Sequence, residues 1–233
     1  DLPLRVGELG LVHRHELSGA LHGLFRVRCF TQDDAHIFMT KEQMETEIQN
    51  VVKLFDEVYS VFGLKYTIEL STMPEDHIGT VEEWEFNQNI LKNAITAMGK
   101  DFVINEGDGA FYGPKLDFHI EDCLGRTWQC GTIQLDSQLP ERFHLEYVGE
   151  DGLKHRPVMI HRVVFGSIER FIGVITEHFA GAFPLWLTPV QVKVLPVTER
   201  AHEYAAQVAA KLEEAGVRVE SDLRSEKLGY KIR

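Results

Sequence analysis

Residues 12–38, V-H-R-H-E-L-S-G-A-L-H-G-L-F-R-V-R-C-F-T-Q-D-D-A-H-I-F, restrict the possible folds more than any other stretch of the chain. Leu11 and Val12 run into a charged cluster at 13–16, and Ser18, Gly19 and Gly23 mark a loop. Phe25, Val27, Cys29 and Thr31 then alternate with Arg26, Arg28, Phe30 and Gln32, the period of two expected of a strand. Strand, loop and strand close most simply as an antiparallel pair. That pair carries Arg14 and Glu16 on one strand and Arg26, Arg28, Gln32 and Asp34 on the other. Alternating charge on a strand ordinarily means a solvated face with surface ion pairs, which contribute little. Buried charge is costly unless a partner or ligand meets it, and arginine's planar fork suits phosphate oxygens. The density of guanidinium groups, with Phe25 and Phe30 interleaved, therefore points to a nucleotide site.

The chain has 233 residues, enough for one large domain or one and a half ordinary ones. Its hydrophobic fraction of 44% is that of a soluble globular protein. No apolar run is long enough to span a bilayer and no charged-then-apolar leader is present, so no membrane partner is expected. Cys29, Cys123 and Cys130 are odd in number and lack C-x-x-C spacing, which fits reduced thiols in a cytoplasmic protein. A net charge of −12 gives no reason to expect nonspecific adhesion to nucleic acid, although a local basic patch can act within an acidic protein. No Ser-His-Asp or Cys-His arrangement is evident. The first residues lead at once into a strand-like pattern, and the chain stops in L-G-Y-K-I-R with no finished element. Both ends read as cut, and the chain is expected to be an internal fragment of a longer protein.

Beyond the first pair, Thr40 and Gln43 have capping-box form. Met44, Ile48, Val51, Val52, Phe55, Val58, Tyr59 and Phe62 follow at helical spacing, with Gly63 as a stop. Tyr66, Ile68 and Leu70 alternate as a strand, and Thr80 with Glu83 opens a second helix ending near Gly99. A short strand at 102–104 enters the turn Gly107-Asp108-Gly109, a weak phosphate signal by itself. Residues 115–120 and 127–135 read as an antiparallel hairpin, 142–147 and 158–160 as further strands, and 166–186 as a largely apolar helix with Arg170 near its start. From Thr188-Pro189 the pattern changes to strand (190–197), alanine-rich helix (201–215) and strand (217–220), a βαβ unit with parallel strands. Another helix is expected from Lys227.

H-R-H-E at 13–16 followed by G-L-F-R-V-R-C-F-T-Q-D-D-A-H at 23–36 resembles motif 2 of the class II aminoacyl-tRNA synthetases, and its F-T-Q-D-D-A-H ending resembles the threonyl-tRNA synthetase family. Further stretches agree in order: G-A-F-Y-G-P-K (109–115), W-Q-C-G-T-I-Q-L-D (128–136), Y-V-G-E-D-G (147–152), and M-I-H-R-V-V-F-G-S-I-E-R-F-I-G (159–173), which is similar to motif 3. The resemblance covers essentially the whole chain. It implies an α+β fold: a class II antiparallel sheet flanked by helices over 1–187, N-terminally truncated, then the start of an α/β anticodon-binding domain over 188–233. It implies a threonine–tRNA ligase that forms threonyl-adenylate from threonine and ATP and transfers it to tRNA(Thr), homodimeric at full length. Neither motif 1 nor the family's upstream zinc-ligand cysteine is present, so the fragment alone is expected to be inactive.

In-line attack of an amino-acid carboxylate on the α-phosphate needs no side-chain base, because the nucleophile is already ionised. It needs anions positioned and charge neutralised. By resemblance, Arg14, Lys115 and Arg170 are the catalytic residues. Arg14 clamps the α-phosphate, Glu16 accepts from the adenine amino group, Phe30 stacks on adenine and Arg26 reaches the distal phosphates. Arg170 covers the other adenine face and the γ-phosphate, with Ser167 and Gln129 also at the ATP site. Gln32, Asp34, Tyr112, Lys115 and Gln129 line the amino-acid side. His36 and His161 are implied as two of three protein ligands to Zn²⁺, and Mg²⁺ accompanies ATP. From the residues alone, a surface ion pair of Arg170 with Glu169 or Glu177 is the alternative. Cys29 stands where the family has glycine; a position needing positive φ would cost about 1 kcal/mol there. The rival functions are another class II synthetase, seryl or prolyl, and a non-catalytic synthetase-like RNA-binding paralogue. The T-Q-D-D-A-H run with the paired histidines favours threonyl, and the retained Arg14, Glu16, Arg26 and Arg170 weigh against a dead paralogue.

Overall fold

The computed structural model describes residues 1–233, which form two compact units, Asp1–His178 and Phe179–Arg233. In the first unit, β1 (Leu4–His13) and β2 (Cys29–Met39) precede α1 (Met44–Val61), β3 (Tyr66–Ser71), α2 (Val81–Ala97) and β4 (Val103–Asn105). The hairpin β5 (Lys115–Glu121) and β6 (Thr127–Asp136) follows, then α3 (Gln138–Arg142), β7 (Tyr147–Val148), β8 (Lys154–His155), β9 (Val158–Val163) and α4 (Ile168–His178). Seven strands form one sheet in the order β1-β2-β9-β6-β5-β3-β4, antiparallel at each step except the final β3–β4 pair.

Alternation sorts the two faces of this sheet. Ile37, Ile160, Leu135, Leu116 and Leu70 are buried on one face, together with Ile48, Val52 and Phe55 of α1 and Leu91 and Ile95 of α2. Both long helices start where local chemistry directs. Gln43 reaches back to the Thr40 N–H at 3.0 Å, and Glu83 and Thr80 bond each other's backbone at 3.1 and 3.2 Å. The other face is polar, and the register aligns it in rows. His36 pairs with His161, His161 with Gln134, Gln134 with Lys115 and Lys115 with Ser71. One step along, Val163, Thr132, Asp117 and Glu69 form the next row. The edge strand β1 leaves Leu4, Val6, Leu9 and Leu11 exposed.

Three expectations shift. The strand predicted from Phe25 begins only at Cys29, because His22 and Arg26 close a turn first, with the His22 N–H bonded to the Arg26 carbonyl at 3.1 Å and Gly23 at φ 47°. The strand predicted over 142–147 is reduced to Tyr147–Val148. The Asp136 carboxylate accepts the N–H groups of Gln138 and Leu139 and starts α3 instead, and His144 turns the chain at φ 53°. The apolar helix predicted over 166–186 ends at His178; Ala180 and Gly181, both at positive φ, break it.

The second unit pairs β10 (Val192–Val194) with β11 (Val219–Ser221) in parallel, joined by α5 (His202–Glu214), the βαβ unit expected from the sequence. The helix expected from Lys227 is α6 (Leu228–Ile232). No helix in the chain is long and apolar enough to cross a membrane.

Candidate active site

A pocket of about 380 Å³ opens on the polar face of the large sheet. Arg14, Glu16 and Arg26, expected on the strands, line it from the connection between β1 and β2, Phe30, Gln32 and Asp34 from β2, and Tyr112, Lys115 and Gln129 from the β5–β6 region. His161, Ser167 and Arg170 complete it. Residues separated by up to 156 positions thus share one cavity, as the sequence reading requires. His36 lies just outside this lining, with its ring centroid 4.8 Å from that of His161 and edge-on to it.

One end of the pocket is cationic. The Arg14 guanidinium sits 5.2 Å from the centre of the Phe30 ring. Arg26 lies 3.6 Å from Glu16, the one carboxylate among these groups. Arg170 is held by backbone: its Nε donates to the Phe25 carbonyl at 2.8 Å and an Nη to the Gln129 carbonyl at 3.1 Å. The alternative surface ion pair for Arg170 is not formed, since Glu177 takes Arg126 and Glu169 takes the Thr31 N–H. Burial lowers the Arg170 pKa, and the neighbouring Arg26 and Arg14 charges push the same way. Three guanidinium groups facing one carboxylate leave a surplus of positive charge for an anion to meet.

The cationic end is held by two carboxylates that sequence reading missed. Asp33, on the face of β2 away from the pocket, accepts the N–H groups of Val164, Phe165 and Gly166 at 2.8–3.2 Å. Burial raises its pKa although those bonds oppose the shift. Glu169 reaches the other way and accepts the Thr31 N–H with both oxygens, at 3.0 and 2.9 Å. The two form a reciprocal clamp between motif-2 and motif-3 backbone. An acidic residue beside a known motif carries no sequence signal of such a partner, because the bonds run to backbone over 130 positions away. Gly166 serves the same junction: at φ 69°, a Cβ would lie 2.6 Å from the Cys130 carbonyl oxygen. The close approach that requires glycine here is to backbone. Cys29 is not among the residues at positive φ, so the departure from the family glycine brings no backbone strain.

The other end carries histidines and carboxylates, some of them bonded to one another. The His161 Nε2 lies 2.8 Å from Asp136, which is fully buried. A carboxylate can only accept, so in the neutral ring this nitrogen carries the proton and the other ring nitrogen keeps its lone pair. Tyr112 donates to Gln134 at 2.6 Å, and burial, with Asp136 and Asp34 nearby, pushes its pKa up to about 12. The nearest carboxylate oxygen of Asp34 is 3.9 Å from His36 Nε2. The His36–His161 pair, on neighbouring strands with one ring oriented by a buried carboxylate, is a donor set suited to a borderline metal such as zinc. No third His, Cys, Asp or Glu joins it in a metal-holding group.

An antiparallel sheet with an arginine-lined pocket over one face and a βαβ unit in sequence behind it is the arrangement of a class II synthetase core followed by an anticodon-binding fold. Residues 1–179 match the tRNA synthetase class II core domain (G, H, P, S and T), and residues 191–233 match the anticodon binding domain. The chain belongs to the class II tRNA synthetase core family. Among that family its relatives are threonine–tRNA ligases: it is 70% identical over all 233 residues to that of Acetivibrio thermocellus and 69% to that of Clostridium tetani. It spans 37% and 36% of the lengths of these proteins. A crystal structure described as the RNA binding domain of threonyl-tRNA synthetase from Cryptosporidium parvum superposes with a TM-score of 0.96 at 47% identity, over the whole of this chain and 58% of that one. Prolyl-tRNA synthetase from the same organism gives 0.66 at 20% identity, over 99% of this chain and 43% of that one, a likeness of fold alone.

Proposed function

We propose that the protein of which these residues form part is a threonine–tRNA ligase, joining threonine to tRNA(Thr) through threonyl-adenylate, with a core over 1–187 and anticodon-binding residues over 188–233. The observation that carries the reading is the surplus of guanidinium charge around Phe30, in a cavity that His161 also lines with His36 packed against it. Adenine lies against Phe30 with its amino group on Glu16, and Arg170 covers its other face. Arg14 takes the α-phosphate and Arg26 and Arg170 the distal phosphates, with Ser167 beside them. Charge that builds on the α-phosphate during attack meets donors already in place, so little reorganisation accompanies the step. Mg²⁺ enters with ATP as its counter-ion. Lys115 orients the threonine carboxylate and the Gln129 carbonyl accepts from a substrate donor, while Gln32, Asp34 and Tyr112 bound the side-chain pocket.

His36 and His161 hold Zn²⁺ together with a protein ligand from outside these residues, and the metal when bound supplies a Lewis acid for the substrate amino and hydroxyl groups. Asp34 accepts from that hydroxyl, which valine lacks. The protein acts in the cytoplasm as a homodimer, a reading supported by the three free cysteines and the exposed apolar edge β1. Threonine-dependent ATP–pyrophosphate exchange by the full-length protein, followed by charging of tRNA(Thr), tests the proposal. A folded full-length protein that exchanges pyrophosphate with serine or proline in preference to threonine sinks it.

A further inference from the structure

We infer that Asp117 is a positioning residue for the activation step: its buried carboxylate aims the Lys115 ammonium and the Gln129 amide at the substrates. The inference deepens the ligase reading and rests on it. Asp117 sits on the polar face of β5, two residues from Lys115, between Glu69 and Thr132 of the flanking strands, and is 2% exposed. Every donor around it is accounted for. Ser71 Oγ donates to Oδ2 at 2.9 Å and Thr132 Oγ1 to Oδ1 at 3.2 Å. Lys115 Nζ donates to Oδ2 at 2.5 Å and Gln129 Nε2 to Oδ1 at 2.5 Å.

These four bonds divide by the reach of the donor. The short hydroxyls of Ser71 on β3 and Thr132 on β6 fix the plane of the carboxylate. The long side chains of Lys115 and Gln129, which line the pocket, take their direction from it. A carboxylate offers only acceptors, so the NH₂ arm of Gln129 turns inward and its carbonyl arm remains for a donor on the substrate. Lys115 spends a second donor on Asp108, 3.3 Å away and well exposed, which leaves one N–H for a substrate anion. Charge-assisted bonds of this kind roughly double the strength of neutral ones, and groups behind a reactive constellation typically change rates 10–100-fold.

An ion pair that merely ties β5 in place would make the same contacts, and coupling separates the two. In the full-length protein, Asp117→Asn should lower kcat for threonine-dependent pyrophosphate exchange by about 10–100-fold, while KM for ATP moves less than about threefold. In a Lys115→Met background the same substitution should cost distinctly less, since only Gln129 of the two groups it aims remains. Equal losses in both backgrounds, or no loss with Lys115 intact, overturn the inference. Should Asp117→Asn fail to fold, Ser71→Ala takes its place. It frees one side of the carboxylate and should lower kcat by about 3–10-fold, again distinctly less without Lys115. A loss of the same size without Lys115 overturns the inference on that route too. Wild-type protein without threonine-dependent exchange overturns the ligase reading and this inference together; an active wild type with additive losses overturns this inference alone.

Discussion

The two ends of the pocket are built on opposite principles. At the cationic end, Arg170 is held by backbone carbonyls, and Arg14, Arg26 and Arg170 share one carboxylate, so the site is electrostatically incomplete until an anion binds. At the histidine end, Tyr112 is tied to Gln134 and His161 to Asp136, so two of its polar side chains are fixed within the protein. A site that stabilises a developing phosphoryl charge benefits from unspent donors. A site that distinguishes one small side chain from another benefits from fixed ones, because rejection depends on leaving a rigid polar group unpaired. On the proposed reading, the cationic end serves rate and the histidine end choice.

The sharpest way to break this contrast is His161→Ala in the full-length protein. It should abolish stoichiometric zinc and remove a preference for threonine over valine on the order of 10⁴-fold. Zinc content by atomic spectroscopy and exchange with each amino acid are the readouts. Full zinc with full discrimination would show that the histidine end does not choose. Asp34→Ala should relax the same preference while leaving zinc in place.

Arg14→Ala addresses the other end. Exchange should fall by at least ~10²-fold, the scale for losing a preorganised charge-stabilising donor, with threonine-over-valine preference unchanged. Near wild-type exchange by the folded variant would remove Arg14 from the phosphate site.

A smaller effect should come from the clamp that joins motif 2 to motif 3. Asp33→Ala strips acceptors from three backbone N–H groups and should cost about 2 kcal/mol of stability, read by denaturant unfolding. A loss below about 0.5 kcal/mol would mean that water replaces the carboxylate and that the junction is held by packing.

The smallest effect concerns the wall behind the cationic end, where Arg126 lies over Phe25 and Trp128. Burial by itself would raise the Asp122 pKa, but bonds from Trp128, Arg126 and the Leu124 N–H outweigh it and bring it down to about 2. A depressed folded-state pKa contributes stability above the unfolded carboxylate value near 3.9, lost as pH falls through about 2. Between about pH 4 and 2, Asp122→Asn should therefore lose thermal stability less steeply than the unsubstituted protein. Parallel melting curves across that window would count against the pairing.

Much of this protein is legible in its sequence. The capping residues Thr40 and Thr80, the heptad-like burial from Met44 to Tyr59 and the β5–β6 alternation follow from local chemistry, and the helices and hairpin lie where that chemistry puts them. The motif stretches hold most of the residues that line the pocket, with His36 just outside it. What the tertiary structure decided is where backbone meets distant carboxylates. Asp33 and Glu169 bind main-chain groups across the clamp, Asp136 starts α3 and orients His161, and Asp117 gathers four donors from three strands. None of these leaves a periodic trace, because a carboxylate bonded to distant partners looks in sequence like any solvated acid. The late start of β2 and the early end of α4 have the same origin, in turns whose geometry outweighs the propensity of the residues around them.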